Sequence, residues 1–429
     1  MKLCWARWDC SARVSLGPRD RPSTRQDNGL PLSVLAPLAP YRGILALPRV
    51  RSLVVVTSRA RVPAAASGVA LTLPVGLALG GGFALAGLLA AALTIGGALG
   101  APLMGRATDR RGLRLTLVLT ALGQGVFWLL AAVLPYAALL PVAFLGGLLS
   151  LPLFSVSRQS LAALVPEDRR RTAYSLDAMA VEVSFALGPA AGVVLATQVS
   201  TRAALLAIGG SMLLAGLLLY LLNPPIRSEA ELQEEAGGAP ASGRRTWLGG
   251  RLAVVLVATA GATVVLAGTD VSIVAPLRRA GELSWSGLVI AAWCVWSLLG
   301  GFVHGSLTRS LPALALMELL CLLTIPVGLA GHWWTLALAL VPAGAMCAPT
   351  LAATSELVSR LVPAGARGEA MGLHTSAITA GVALGAPLAG AAADRLGPPA
   401  GFVAVGVAGA VLGLVALAAL RTVGRSSSG

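Results

Sequence analysis

FALAGLLAAALTIGGALGAPLMGRAT, residues 83–108, is an apolar run broken only by small residues and closed by glycine, arginine and threonine. LSWSGLVIAAWCVWSLLGGFVHGSLT, residues 283–308, keeps the same frame at an offset of 200. Gly87 pairs with Gly287, Gly100 with Gly300, Gly105 with Gly305 and Thr108 with Thr308; the register runs back without a gap to Gly68 with Gly268 and Arg51 with Arg251. A second match near offset 197 sets Leu164-Val165-Pro166 against Leu361-Val362-Pro363, and Leu187-Gly188 against Leu384-Gly385. Duplication on this scale, in segments apolar enough for lipid, points to two similar helical bundles around a shared site, as in transporters.

Composition carries the same message. The 429 residues are 56% hydrophobic and only 12% charged, with a mean hydropathy of +0.81, which no soluble protein of this length sustains. A spanning helix needs about 20 mostly apolar residues, and the alternation of a membrane barrel is missing. Six spans fit the first half: Leu53 to Leu77, Phe83 to Met104, Leu115 to Val133, Tyr136 to Val156, Ala173 to Thr197 and Ala203 to Leu222. Six fit the second: Leu252 to Leu277, Ser284 to Leu307, Leu311 to Ala330, Trp333 to Thr354, Met371 to Ala392 and Gly401 to Leu420. The expected organisation is an N-terminal tail over 1–50, a bundle over 51–222, a linker over 223–250, a second bundle over 251–422 and a short tail over 423–429.

The net charge of +14 is almost all arginine, since Lys2 is the single lysine. Its distribution argues against nucleic acid: Arg106, Arg110, Arg111, Arg114, Arg169, Arg170, Arg171, Arg227, Arg244, Arg245, Arg309 and Arg367 fall on one side of the spans. The other side carries mainly Arg202, Arg278, Arg279 and Arg395. Positive charge marks the cytoplasmic side, so both termini are expected there, in a multi-pass protein of the plasma membrane. The Ala, Gly and Arg richness suggests a bacterial coding bias. Residues 1–40 read as a disordered tail or as the product of a translation start set too far upstream. Cys4, Cys10, Cys294, Cys321 and Cys347 lack metal-ligand spacing and read as apolar filler. In the linker, Glu229, Glu231, Glu234 and Glu235 read as a solvated helical face.

Between the second and third spans stands Gly105-Arg106-Ala107-Thr108-Asp109-Arg110-Arg111-Gly112-Leu113-Arg114. It resembles the loop signature of the major facilitator superfamily at Gly105, Asp109, Arg110, Gly112 and Arg114, with Leu115 where a last basic residue belongs. Glycine lets helix ends approach, and a carboxylate can meet an arginine or a helix N-terminus. The set is a candidate conformational latch. The equivalent loop, Gly305-Ser306-Leu307-Thr308-Arg309-Ser310, keeps its glycine but holds Arg309 at the aspartate position, a decayed latch. Gly390, Asp394, Arg395 and Gly397 read as a turn and helix cap. In the fifth span, Gly188-Pro189-Ala190-Ala191-Gly192 resembles in part the superfamily's antiporter signature, mirrored by Gly385-Ala386-Pro387. Gly188, Pro189 and Gly192 would bend that helix and let it pack against the opposite half. Over about residues 50 to 422 the resemblance implies an all-α membrane protein of twelve helices in two pseudo-symmetric six-helix bundles.

Ionisable groups within spans are costly and therefore candidate functional groups. Asp270 in the seventh span and Glu182 in the fifth are the candidates for proton coupling. Arg59 and Arg61 need a carboxylate partner, for which Glu182 is one geometric option, unless the first span begins near Val62 and leaves both at the interface. His374 and Glu318 are weaker candidates. Trp333 and Trp334 read as an interfacial belt, and Trp128, Trp293 and Trp296 as packing or substrate contacts.

Function follows as an expectation: secondary transport of a small, hydrophobic solute by alternating access, with export by proton antiport ahead of nutrient uptake by proton symport. The partners expected are the solute, protons and the bilayer, for a monomer that binds no nucleic acid, with no cofactor and no metal. A phosphate-binding loop would need its lysine. A membrane enzyme would need clustered catalytic residues, yet His304, His332 and His374 share no motif. A non-transporting sensor on the same fold is the remaining alternative.

Overall fold

The computed structural model describes residues 38–78, 82–237 and 243–426; most of the tail reading over 1–50 and the end of the tail over 423–429 lie outside them. Among the described residues there are helices and no strands. A short α1 (Ala39–Leu45) precedes α2 (Pro48–Ala78), α3 (Gly82–Arg111), α4 (Leu113–Ala131), α5 (Tyr136–Leu148), α6 (Leu153–Leu164), α7 (Arg170–Gln198) and α8 (Thr201–Leu222). The connector carries α9 (Glu229–Ala236) and α10 (Arg244–Trp247). Then come α11 (Gly250–Arg279), α12 (Ser286–Ser306), α13 (Ala313–Thr324), α14 (Trp333–Leu361), α15 (Arg367–Leu396) and α16 (Pro399–Ser426). Among the described residues, ten helical segments are long and apolar enough to cross a membrane, Tyr136–Leu164 counting as one, and Ala313–Leu329 is a shorter apolar one.

Packing follows the sequence repeat. α2 packs on α7 and α8 as α11 packs on α15 and α16; α3 meets α5 as α12 meets α14; α4 meets α8 as α13 meets α16. The α4 helix shows why these surfaces suit lipid. Leu117, Ala121, Gln124 and Trp128 are buried, while Leu115, Leu119, Leu122, Val126 and Leu129 are exposed on the other face. Both faces are apolar, and a helix apolar all round belongs in a bilayer.

Two features position the functional site. Several helices overrun the expected spans at the end that bears the 105–114 loop: α3 reaches Arg111, α6 reaches Leu164 and α14 reaches Leu361. The second feature is the break at Leu149–Pro152 between α5 and α6. Pro152 has no N–H to give, and the Ser150 N–H bonds Gly147 O at 2.9 Å instead of Gly146 O. Gln124 Nε2 donates to the freed Gly146 carbonyl at 2.6 Å, and Trp128 Nε1 donates to Gln124 Oε1 at 3.0 Å. Side chains thus satisfy backbone that lipid could not.

Candidate functional site

The two bundles meet where the loop motif lies. Asp109, at the end of α3, accepts from Gly368 N (2.9 Å, Oδ1) and Glu369 N (2.8 Å, Oδ2) in the first turn of α15. A carboxylate from one bundle therefore caps a helix N-terminus of the other, where unpaired N–H groups and the helix dipole favour an anion. Gly105 makes the approach feasible, because a Cβ there would overlap the Gly368 carbonyl. Gly112 links α3 to α4 at φ 87, a conformation that side chains disfavour. Arg114 lies over the Tyr220 ring at 5.2 Å, and Arg110 is exposed. The buried Glu369 carboxylate takes Arg244 at 2.7 Å and Arg106 at 3.8 Å. Glu231 of α9 takes Arg367 at 2.6 Å. The reading of Glu231 as part of a solvated face is corrected here, since it ties the connector to the start of α15.

On the other side of this seam the polarity is reversed. Thr172 Oγ1 donates to Gly305 O at 2.7 Å, and Arg171 Nη1 donates to Leu307 O (3.1 Å) and Thr308 O (3.0 Å), the carbonyls that end α12. A cation from α7 thus meets the negative end of a helix. The loop expected to be a decayed latch remains a contact between bundles, built from carbonyls. Tyr41 adds a strap: its hydroxyl is shared between Gly301 O (3.1 Å) and Phe302 O (2.9 Å), and its ring stacks on Phe302 at 5.1 Å.

Deeper in, a charged network crosses both bundles. Arg61 Nη2 meets Asp177 Oδ1 at 2.6 Å, Ser157 Oγ donates to the same oxygen at 2.7 Å, and Arg158 Nε reaches Asp177 Oδ2 at 3.4 Å. Arg158 Nη1 lies 3.0 Å from His374 Nδ1, and His374 Nε2 lies 3.2 Å from Thr354 Oγ1. The guanidinium can only donate, so Nδ1 is the acceptor and this imidazole is neutral. Arg61 and Arg158 also lie over the Phe154 ring, at 5.1 and 5.9 Å. All of these charged groups are buried, where removing one partner costs about 3–5 kcal/mol.

The suggested pairing of Arg61 with Glu182 is thereby corrected: Asp177 is the partner of Arg61, and Arg59 is exposed. Arg61 is 1% exposed, so the option that placed it at the interface also falls. Glu182 instead accepts from Ser297 Oγ on α12 at 2.9 Å, and that hydroxyl accepts from Ala348 N on α14 at 3.2 Å. Asp270 on α11 is exposed. Gly188 and Gly192 do not face the opposite half: their nearest neighbours are Val62, Ala65 and Ala66 on α2, in the same bundle. Pro189 lies inside an α7 that stays continuous from Arg170 to Gln198. Gly397 ends α15 at φ 96, the turn and cap expected of it. Trp333 stacks on Trp285 at 4.5 Å, and Trp293 is buried in the second bundle's core.

A cleft of about 220 Å³ opens beside the α5–α6 break, walled by Gln124, Trp128, Ser150 and Phe154 from the first bundle and by Thr375 and Thr379 from α15. Among the described residues no group of three His, Cys, Asp or Glu could hold a metal ion.

The profile of the Major Facilitator Superfamily matches residues 60–331 and 307–428. The chain belongs to this superfamily. Solved structures share its fold: the human organic anion transporter MFSD10 (TETRAN) at 18% identity and TM-score 0.64, covering 86% of this chain and 99% of that one. The proton:xylose symporter XylE, bound to 6-bromo-6-deoxy-D-glucose, gives 15%, 0.66, 86% and 95% in the same order. A bacterial homologue of the iron transporter ferroportin, in its outward-facing state, gives 16%, 0.66, 87% and 98%. A search of curated proteins returns no match.

Within this superfamily member, sequence reading missed Asp177 and Arg158. Asp177 lies inside the span drawn from Ala173 to Thr197, and a consistent search for intramembrane charge finds it. Arg158 escapes because the span that starts at Tyr136 stops at Val156, two residues short, whereas the helix continues to Leu164.

Proposed function

We propose that this superfamily transporter is a proton-coupled exporter of a small solute with an apolar body. It works by alternating access in the plasma membrane with both termini cytoplasmic, and α2 with Ala313–Leu329 completes twelve crossings. One observation carries the reading: Glu182, an intramembrane carboxyl of the first bundle, is bonded to Ser297 of the second. A proton gained or lost there changes a bond across the seam that alternating access must break, which links protonation to conformation. Asp270, the other carboxyl that the sequence places within a span, is the second coupling site. The contacts of Asp109, Arg171, Thr172 and Tyr41 all lie toward the loop face, so we read this form as closed on that face.

The experiment is solute flux in proteoliposomes with and without an imposed proton gradient, comparing the native chain with Glu182→Gln and Asp270→Asn. Gradient-driven export by the native chain, uncoupled in either variant, supports the proposal. Coupling unchanged in both removes these carboxyls from it, and flux in the direction of the proton favours symport.

A further inference from the structure

We propose that the cleft beside Phe154 is a seat for an anion, and that the transported solute is an amphipath with one negatively charged group. This deepens the transport reading above and rests on it. The argument starts from charge. Arg61 and Arg158 are 1% and 3% exposed, and the single carboxylate between them is Asp177, 3% exposed. The remaining titratable partner, His374, is neutral by its hydrogen bonds. The cluster is therefore left with one positive charge in excess, which a buried site does not tolerate without a partner. Glu182, the next carboxyl along α7, is five residues on and committed to Ser297.

The second observation is an unused donor. Arg61 Nε is buried and has no hydrogen-bond partner, although Nη2 of the same guanidinium is bonded. Buried N–H groups of this kind are nearly always satisfied, and a carboxylate or sulfonate oxygen satisfies a guanidinium best. The third is the position of the cleft. Phe154 is its wall; the arginines themselves are not wall residues, but both guanidiniums lie against that ring, so their excess charge reaches an occupant across it. Ala64, also a wall residue, is one helical turn from Arg61 on α2. Trp128 and Phe154 supply apolar surface for the solute's body, while Gln124, Ser150, Thr375 and Thr379 supply hydrogen-bonding groups. Because α15 closes the cleft with Thr375 and Thr379, an occupant touches both bundles, as a transported solute must.

The test compares 2-naphthoate with its uncharged isostere 2-naphthamide, binding each to the purified full chain in neutral-lipid nanodiscs by equilibrium dialysis. The native chain should prefer the acid by about tenfold or more. That preference should vanish in Arg61→Gln, which removes the excess charge. It should rise in Asp177→Asn, which adds one, and return to the native value in the double variant, where Arg158 alone supplies it. Arg61→Lys, which keeps the charge, should retain part of it. A merely structural role would weaken both compounds alike. If Arg61→Gln does not fold, Asp177→Asn and the double variant still order the preference by charge. Equal binding of acid and amide to the native chain, no acid binding up to millimolar concentration, or a preference indifferent to these substitutions overturns the proposal. Flux of the amide without acid binding leaves transport standing and the anion seat refuted. Acid binding without flux of either compound leaves the seat standing and refutes transport.

Discussion

Asp109 and Glu369 are joined carboxylate to backbone rather than carboxylate to carboxylate: the Asp109 Oδ2 accepts from the Glu369 N–H at 2.8 Å while the Glu369 carboxylate turns to Arg244 and Arg106. Two acids can therefore occupy one corner of the seam, because one meets the positive end of α15 and the other meets guanidiniums.

Replacing Asp109 by Asn keeps one acceptor and removes the charge, so Asp109→Asn should destabilise the closed loop face, and Asp109→Ala more so. A hydrogen-bonded charge of this kind is worth about 1.5–3 kcal/mol, which moves a two-state ratio by about ten- to 150-fold. The readout is alkylation of a cysteine at Ser160, buried on the loop side of the seam, by an impermeant maleimide in a background lacking the native cysteines. An alkylation rate the same as in the native background would remove Asp109 from the latch.

A steric prediction is independent of charge. Gly105 and Gly368 meet backbone to backbone, and a Cβ on either would overlap the other segment. Gly105→Ala and Gly368→Ala should each cost about 1–3 kcal/mol of the closed form and raise alkylation at residue 160. Their effects should fall short of additive in the double variant, since one separation relieves both clashes. Strict additivity would mean that the two glycines act at different contacts.

The fold was legible because its strongest signals are local and doubled. Apolar length, arginine placement and the matched glycines each mark the same helices, and Gly105 and Asp109 proved to be contacts between bundles. What sequence hid was partnership. Hydropathy ends a span where the apolar run ends, so the reading stopped at Val156 and lost Arg158, although the helix runs on to Leu164. Neither could spacing say whether Arg61 meets Asp177 or Glu182, since both lie on α7 and the choice depends on how α2 and α7 are rotated. Glu231 reads as solvated from sequence for the same reason: its partner, Arg367, is 136 residues away.

Acid should loosen the connector. The usual effect of burial would raise the Glu231 carboxyl, but the hydrogen bond from Arg367 and that from the Ser228 N–H outweigh it and hold the group below its ordinary value. A depressed acid contributes stability above its unfolded value, about 4.3, and loses it as pH falls through the folded one. Protection of α9 against amide exchange should therefore be level near neutrality and drop below about pH 4.3. Glu231→Gln should be less protected at neutral pH and lack that acid limb. An unaltered profile in this variant would show that another group governs the connector.

Tyr41 offers two contacts that substitution can separate. Tyr41→Phe removes the hydroxyl shared between Gly301 O and Phe302 O but keeps a ring stacked on Phe302. A neutral hydrogen bond contributes about 0.5–1.5 kcal/mol, and an aromatic pair about 0.5–1.5 kcal/mol beyond its burial. The two losses are similar, so Tyr41→Phe should raise alkylation at residue 160 by a few-fold and Tyr41→Ala, which also loses the burial of the ring, by at least the square of that factor. The direction follows from the strap's position: Tyr41 on α1 binds α12 across the closed loop face, so it should stabilise that state. Should Tyr41→Ala leave alkylation at the native rate, α1 would be a passive extension of α2 and the seam would depend on Asp109, Arg171 and Thr172 without it.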